Sequence, residues 1–403
     1  MTHSRSFRRA TALGALLLAL TALAYWPGLT GSFLFDDYPQ IVHQDAIHME
    51  SFDTASVLGA LRGFSHGIGR PIPMLSFALD HLAWGRAPFG YKLSSLVVHL
   101  ANALLVYLLA MRLLSLAAGP GKAGQEPAAA IIASAWAMHP LQVSTVLYVV
   151  QRMETLSLAF VLLALLAYLS GRTRQMRGLR AWPRLAGALA LALVGLACKE
   201  TAALFPVYAL ILEFTVLGFR AKSPGTEVNW RRAYAAAVIS GIAVVAVLLP
   251  GYADPAVFAI RDYSALERVL TQFRVLPMYL GWIVLPDPGA YVFYYDQYTP
   301  SRGLLEPAGT LAGLLFLLGL AGSALWWRRS IPLYSLGVLW FLAAHAITSS
   351  FLPLELVFEH RNYFAILGVV LAAYALCAKA WQQRAARQPP LALGMLVVAG
   401  LAG

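Results

Sequence analysis

Residues 10–29 read ATALGALLLALTALAYWPGL, an apolar run without one charged side chain, and this run decides the class of the fold. At about 1.5 Å of rise per residue, some 20 apolar residues in a helix cross a hydrocarbon core about 30 Å thick. The run lacks a clear small-residue cleavage site and reads as an uncleaved first span. Runs of the same kind recur at 89–111, 127–139, 143–170, 185–198, 201–219, 233–250, 307–327, 331–351, 362–381 and from 391 onward. With 59% hydrophobic and 12% charged residues, the chain lies far from the roughly 25% charged content of soluble domains. The expectation is an all-α polytopic membrane protein with about 11 transmembrane helices. Nothing in the sequence divides it, so residues 1–403 read as one membrane domain without a soluble repeat domain. The final run holds about 13 residues, which is short for a span. Either that helix is partial or the natural chain continues.

The net charge of +11 marks a side of the membrane and not a nucleic-acid surface. Arg5, Arg8 and Arg9 precede the first span, and Arg172, Arg174, Arg177, Arg180 and Arg184 crowd one connection. Taking both as cytoplasmic leaves about 19 basic and 3 acidic residues inside, against about 11 and 16 outside. The first outer loop is then 30–88 and the second outer region 251–306, with the N-terminus cytoplasmic. Residues 71–84 are apolar but too short to span, and are expected to lie along the outer surface. Residues 266–285 contain Arg274 and Pro277 and read as an interfacial or re-entrant helix. The runs ending before His139-Pro140 and Lys199-Glu200 hold only about 13 residues, which makes both candidate cavity walls. Cys198 and Cys377 form no spaced pattern and read as small packing residues.

The first outer loop places Asp36 and Asp37 within one or two residues of the membrane boundary. Carboxylates beside a low-dielectric surface hold protons more tightly, and adjacent like charges strengthen the effect, which suits a general base or a cation ligand. A solvated loop start or helix cap explains the pair equally well. Further outer helix ends bring Arg70, His139, Arg152 with Glu154, Lys199 with Glu200, and Glu359-His360-Arg361. Ionisable groups at membrane depth are costly, and they pair with one another or line functional cavities. Arg70, Arg152, Lys199 and Arg361 are the candidates for an anionic headgroup, because guanidinium forks and ammonium groups both match phosphate oxygens. Structural ion pairing between helices is the rival reading. His99 and His139 read as interhelical hydrogen-bonding groups, and spacing proposes no metal site. The aromatic stretch from Tyr291 to Tyr298 is an interfacial belt or a platform for sugar or peptide.

Six blocks carry a family likeness: Phe33 to Ile41; Gly69-Arg70-Pro71 through Trp84-Gly85; Pro88-Phe89-Gly90-Tyr91 with His99; His139 to Gln142 with Gln151-Arg152; Lys199-Glu200-Thr201; and Glu359 to Tyr363. Their order and context resemble the membrane domain of the tetratricopeptide-repeat protein O-mannosyltransferases and their bacterial relatives, of the GT-C superfamily. The resemblance implies an inverting glycosyltransferase that takes a sugar from a polyprenyl-phosphate donor and places it on an extracytoplasmic protein hydroxyl or glycan. It implies Asp36, with Asp37 beside it, as base toward the acceptor. It implies Arg361 with His360 and, less directly, Arg152, Lys199 and Arg70 as holders of the lipid phosphate. Glu154, Glu200, Glu359 and His139 would support them. No cofactor is implied, since the lipid-linked sugar is itself a substrate, and the sequence does not decide a divalent metal requirement. The membrane would be a bacterial cytoplasmic (inner) membrane. The chain departs from the family at Lys92 and Ser95, usually His and Asn, and at Ser144, usually acidic, which bears on sugar and acceptor identity. A flippase for a lipid-linked sugar would need ionisable groups on both sides and at midplane, and a non-catalytic scaffold would have only those three departures in its favour.

Overall fold

The computed structural model describes residues 2–64, 69–118 and 125–385. Among them there is no strand, and fourteen α-helices follow one another in chain order. They are α1 (Thr2–Tyr25), α2 (Thr54–Arg62), α3 (Pro71–Trp84), α4 (Pro88–Ala118), α5 (Gln125–Ala137), α6 (Val143–Val146) and α7 (Arg152–Met176). After these come α8 (Trp182–Leu196), α9 (Phe205–Leu212), α10 (Pro224–Tyr252), α11 (Ala265–Val284), α12 (Gly309–Trp327), α13 (Pro332–Ala344) and α14 (Tyr363–Ala385). Seven helical stretches are long and apolar enough to cross a membrane. The two short runs recognised in the sequence form α5 and α8, whereas the 331–351 run, expected to cross in full, is helical only over the 13 residues of α13. The chain is an all-α polytopic membrane protein. Ten of the expected crossings fall on described helices, and the run from 391 lies outside the described residues.

The core is built by α4, α5 and α7 with α1 on one flank and by α13 against α14 on the other. Without a hydrophobic drive between helices in lipid, close approach and interhelical hydrogen bonds hold them together. Gly337 and Gly368 face each other across the α13–α14 contact, where a Cβ on either would run into the other's carbonyl oxygen. His99 on α4 bonds to the Tyr363 hydroxyl at 2.9 Å and the Ala137 carbonyl at 2.9 Å, tying α4, α5 and α14 as a satisfied core histidine. Asn102, one turn on, donates to the Thr155 carbonyl at 2.8 Å and the Tyr363 hydroxyl at 3.1 Å. Cys198 is buried, but Cys377 is exposed on α14, so only the first is a packing residue.

Between α1 and α4 the described residues hold α2, α3 and short helical turns. Asp53 caps α2 by accepting the Ala55 and Ser56 amides, and Pro71 opens α3. α3 packs on α2, α4 and α7. The expected segment forms one continuous helix, α11 (Ala265–Val284), started by a Ser264/Glu267 capping box. Its buried face, Arg268, Thr271, Gln272, Val275 and Tyr279, repeats at three- and four-residue steps. α10 buries none of its residues. It is attached through Trp230, stacked under Arg172 at 4.5 Å, and Tyr234, whose hydroxyl donates to Tyr168 at 2.8 Å.

Candidate active site

The adjacent carboxylates part company. Asp37 is fully buried; one oxygen accepts the Val150 amide at 2.7 Å and the other the Leu34 amide at 3.0 Å. It clips the loop after α1 to the chain entering α7. Burial pushes its carboxyl up to about 6, against the pull of those amides and of Lys92. Asp36 turns the other way, into a cavity of about 680 Å³, and takes part in no ion pair among the described residues. Its amide donates to the Tyr148 hydroxyl at 2.9 Å. Burial, and behind it the Asp36 charge, push the Tyr148 phenol up, so it keeps its proton beside the carboxylate. The residue before, Phe35, has φ +38°, a left-handed conformation costly for a bulky side chain. Stacking of its ring on Phe293 and Tyr294, at 5.0 and 5.7 Å, holds it there. The aromatic stretch 291–298 therefore contributes a wall to the site.

Across the cavity stand Arg70, Lys199, His360 and Arg361. Each cation is held by a carboxylate. Arg70 pairs with Glu200 at 2.9 Å, Lys199 with Glu154 at 2.9 Å, and Arg361 with Glu355 at 3.2 Å. Arg70 and Lys199 keep spare donors. Arg70 Nε has no partner, and Lys199 uses two of its three N–H groups, on Glu154 and on the Gln151 side-chain oxygen at 3.2 Å. His360 Nδ1 is buried and unpartnered. Glu355 also binds Arg261 at 2.9 Å, and behind it lies fully buried Arg268. That wall therefore carries three guanidiniums to one carboxylate. Burial pushes the Glu355 carboxyl up, and Arg361 and Arg261 more than reverse this, holding it below the usual carboxylate range.

Arg268 donates to the carbonyls of Leu354 at 2.8 Å, Thr348 at 2.7 Å, Glu355 at 3.3 Å and Ser350. It thereby shapes the 348–355 segment that lines the cavity. Arg268, Arg261, Glu355 and Tyr148 were missed in the sequence. The available signal was Arg268 itself, an arginine in phase with the apolar face of 266–285.

Arg152 lies elsewhere. It is buried, pairs with Asp80 at 2.5 Å, and gives further bonds to Ser95, the Ser76 hydroxyl and the Tyr91 carbonyl. Its donors are taken inside the α3–α4–α7 junction, which removes it from phosphate contact. Asp37, equally, is a buried clip and not a group facing the cavity. Glu154 sits behind Lys199, and Glu200 braces Arg70.

A second cavity, about 650 Å³, adjoins the first through Tyr148. Glu359 lines it and accepts from the Tyr295 hydroxyl at 3.1 Å. Lys92 and Ser144, two positions that depart from the family pattern, line it as well. His139 sits at its edge, bonded to the Ile283 carbonyl at 3.0 Å and to the Leu141 amide at 3.2 Å.

Against curated proteins, the chain is 39% identical over 138 residues to protein O-mannosyl-transferase Tmtc1 of Drosophila melanogaster, covering 34% of this chain and 14% of that protein. It is 36% identical over 140 residues to Tmtc2 of the same fly, with 34% and 14% covered. It is 29% identical over 159 residues to TMTC3 of Mus musculus, with 38% and 16% covered. The match thus spans about a seventh of the length of these relatives. No family model and no solved structure matches the chain. Its homologues are protein O-mannosyl-transferases, the family that the sequence blocks resemble.

Proposed function

We propose that the chain is an inverting GT-C-type glycosyltransferase that moves a sugar from a polyprenyl-phosphate donor to a protein hydroxyl on the extracytoplasmic face of a bacterial cytoplasmic membrane. One observation carries the reading: Asp36, which forms no ion pair among the described residues, shares a cavity with Arg70, Lys199 and Arg361, of which Arg70 and Lys199 keep unpaired N–H groups.

In this reading the acceptor oxygen attacks the anomeric carbon while the bond from that carbon to the phosphate oxygen breaks. Asp36 takes the hydroxyl proton, and the electron pair leaves on the lipid phosphate. Arg361, Lys199 and Arg70 meet that developing charge inside a restricted cavity, where oriented donors act more strongly than in water. Neutral Tyr148 keeps the base oriented through its bond to the Asp36 amide. Direct displacement needs one base and no second carboxylic acid, because phosphate departs as an anion.

Purified protein in detergent, supplied with radiolabelled polyprenyl-phosphate mannose and an extract of exported proteins, tests this; mannose comes first because the homologues carry that name. Label should pass to protein, and Asp36→Asn should lower the rate about 10²- to 10⁴-fold. Full activity in that variant would remove Asp36 from the base role. Movement of the labelled lipid across liposomes, with no acceptor modified, would replace the transferase reading by a flippase.

A further inference from the structure

The end of the bundle away from Asp36 holds a second gathering of arginines that the reaction does not use. Lys92, near the start of α4, lies on the Asp37 side, and Ala117, at its far end, lines a separate cavity of about 500 Å³. Twenty-five residues of helix put the two about 37 Å apart. Arg220, Arg231, Arg328 and Arg329 converge there from the turn after α9, the start of α10 and, about 100 residues on, the α12–α13 connection.

Three of the four have fixed neighbours: Arg220 donates to the Leu217 carbonyl at 2.9 Å and the Val216 carbonyl at 3.3 Å, and two others lie over rings. Arg328 lies 4.4 Å over the Phe214 ring and Arg231 5.4 Å over the Phe219 ring. Phe219 itself has φ +59°, which a bulky residue adopts only when its surroundings impose it. Among the described residues none of the four arginines forms an ion pair. The carboxylates at hand are otherwise engaged: Glu213 by Arg172, Glu227 by the Ala221 amide. Four unneutralised guanidiniums around one cavity repel each other, and an anion with several oxygens relieves all four at once.

We propose that this cavity binds a phosphate-bearing anion, held by Arg220, Arg231, Arg328 and Arg329. The charge preference of cytoplasmic loops would attract anions to any arginine at this end; the cavity makes these four different from their neighbours. Arg177 and Arg180, exposed on the same end after α7, provide the comparison.

Delipidated full-length chain in detergent is titrated with phosphatidylglycerol by native mass spectrometry and with inorganic pyrophosphate by calorimetry. At about 1 kcal/mol per basic residue, Arg231→Gln/Arg328→Gln should bind about 30-fold more weakly, while Arg177→Gln/Arg180→Gln binds as wild type. The pair Arg231→Lys/Arg328→Lys, which keeps the charge, should recover part of the binding and guards against a folding defect. Binding of the lipid alone assigns the site to a headgroup; pyrophosphate binding, alone or in competition, assigns it to free phosphates as well. Equal losses in the two Gln pairs, no loss in the first, or no binding of either probe would overturn the proposal.

Discussion

Replacing Asp37 by alanine removes the acceptor of two amides, the buried one of Val150 and the half-buried one of Leu34. Each orphaned amide costs about 1–3 kcal/mol, so the variant should lose about 2–6 kcal/mol of stability. Asp37→Asn keeps one carbonyl acceptor and should lose about half as much. Asp36→Asn should cost no more than about 0.5 kcal/mol, because that side chain faces the cavity and holds no amide. Two neighbouring carboxylates are thus expected to fail in opposite ways, one through the fold and the other through the chemistry. Unfolding followed by tryptophan fluorescence in detergent reads the first quantity, and label transfer per folded molecule reads the second. The division of roles is refuted if Asp36→Asn unfolds as readily as Asp37→Ala, or if Asp37→Ala melts with the wild type.

Asp37 also makes a pH prediction. Its folded carboxyl, near 6, lies above the ordinary 3.8, so the folded state keeps a proton that the unfolded chain has already released. Wild-type stability relative to Asp37→Asn should therefore fall as pH rises from about 4 to 6, by at most about 3 kcal/mol; a flat difference in melting temperature over that window would contradict the burial. Arg268→Leu should free the carbonyls of Thr348, Leu354 and Glu355, raising the donor KM more than it lowers kcat, and Arg268→Lys should not rescue it, since one ammonium cannot span them. Removing either partner of the buried Arg172–Glu213 pair should cost about 3–5 kcal/mol, and removing both with apolar residues clearly less, as a double-mutant cycle by thermal unfolding would show. Arg361→Lys should weaken transfer by losing the planar fork while keeping the charge, read as a lower kcat/KM for the lipid-linked sugar.

Helix positions were the readable part, because a span needs an unbroken apolar run and nothing else in the chain supplies one. The run 10–29 and its successors follow from composition alone. The site was only partly readable. Lys199, Glu200, His360 and Arg361 stood out because charge at a helix end in an apolar chain is costly enough to be noticed. The same rule also flagged Arg152, and there it could not decide: a buried ion pair with Asp80 and a phosphate contact impose one sequence signature, an arginine at membrane depth. Which applies depends on Asp80 arriving from α3, a tertiary fact. Asp36 and Asp37 were indistinguishable for a related reason. Their side chains diverge because Phe35 adopts a left-handed backbone, and that conformation depends on Phe293 and Tyr294, more than 250 residues away.

Tyr148 is where these threads meet. It accepts the Asp36 amide, lies edge-on to Phe293 at 5.0 Å, and belongs to the walls of both the 680 Å³ and the 650 Å³ cavity. In the proposed reaction, Asp36 must reach the acceptor without being drawn into an ion pair with the cations assigned to the leaving group. A neutral phenol beside Asp36 meets that need: it orients the loop by a hydrogen bond and adds no positive charge to quench the carboxylate. If this is its use, Tyr148→Phe should leave the fold intact and reduce transfer, because the ring contacts survive while the Asp36 amide loses its acceptor. An Asp36→Asn change made on top should then add less than it does in the wild type, since both act on one group. Full additivity of the two losses in label transfer would mean that Tyr148 contributes through the second cavity and not through Asp36.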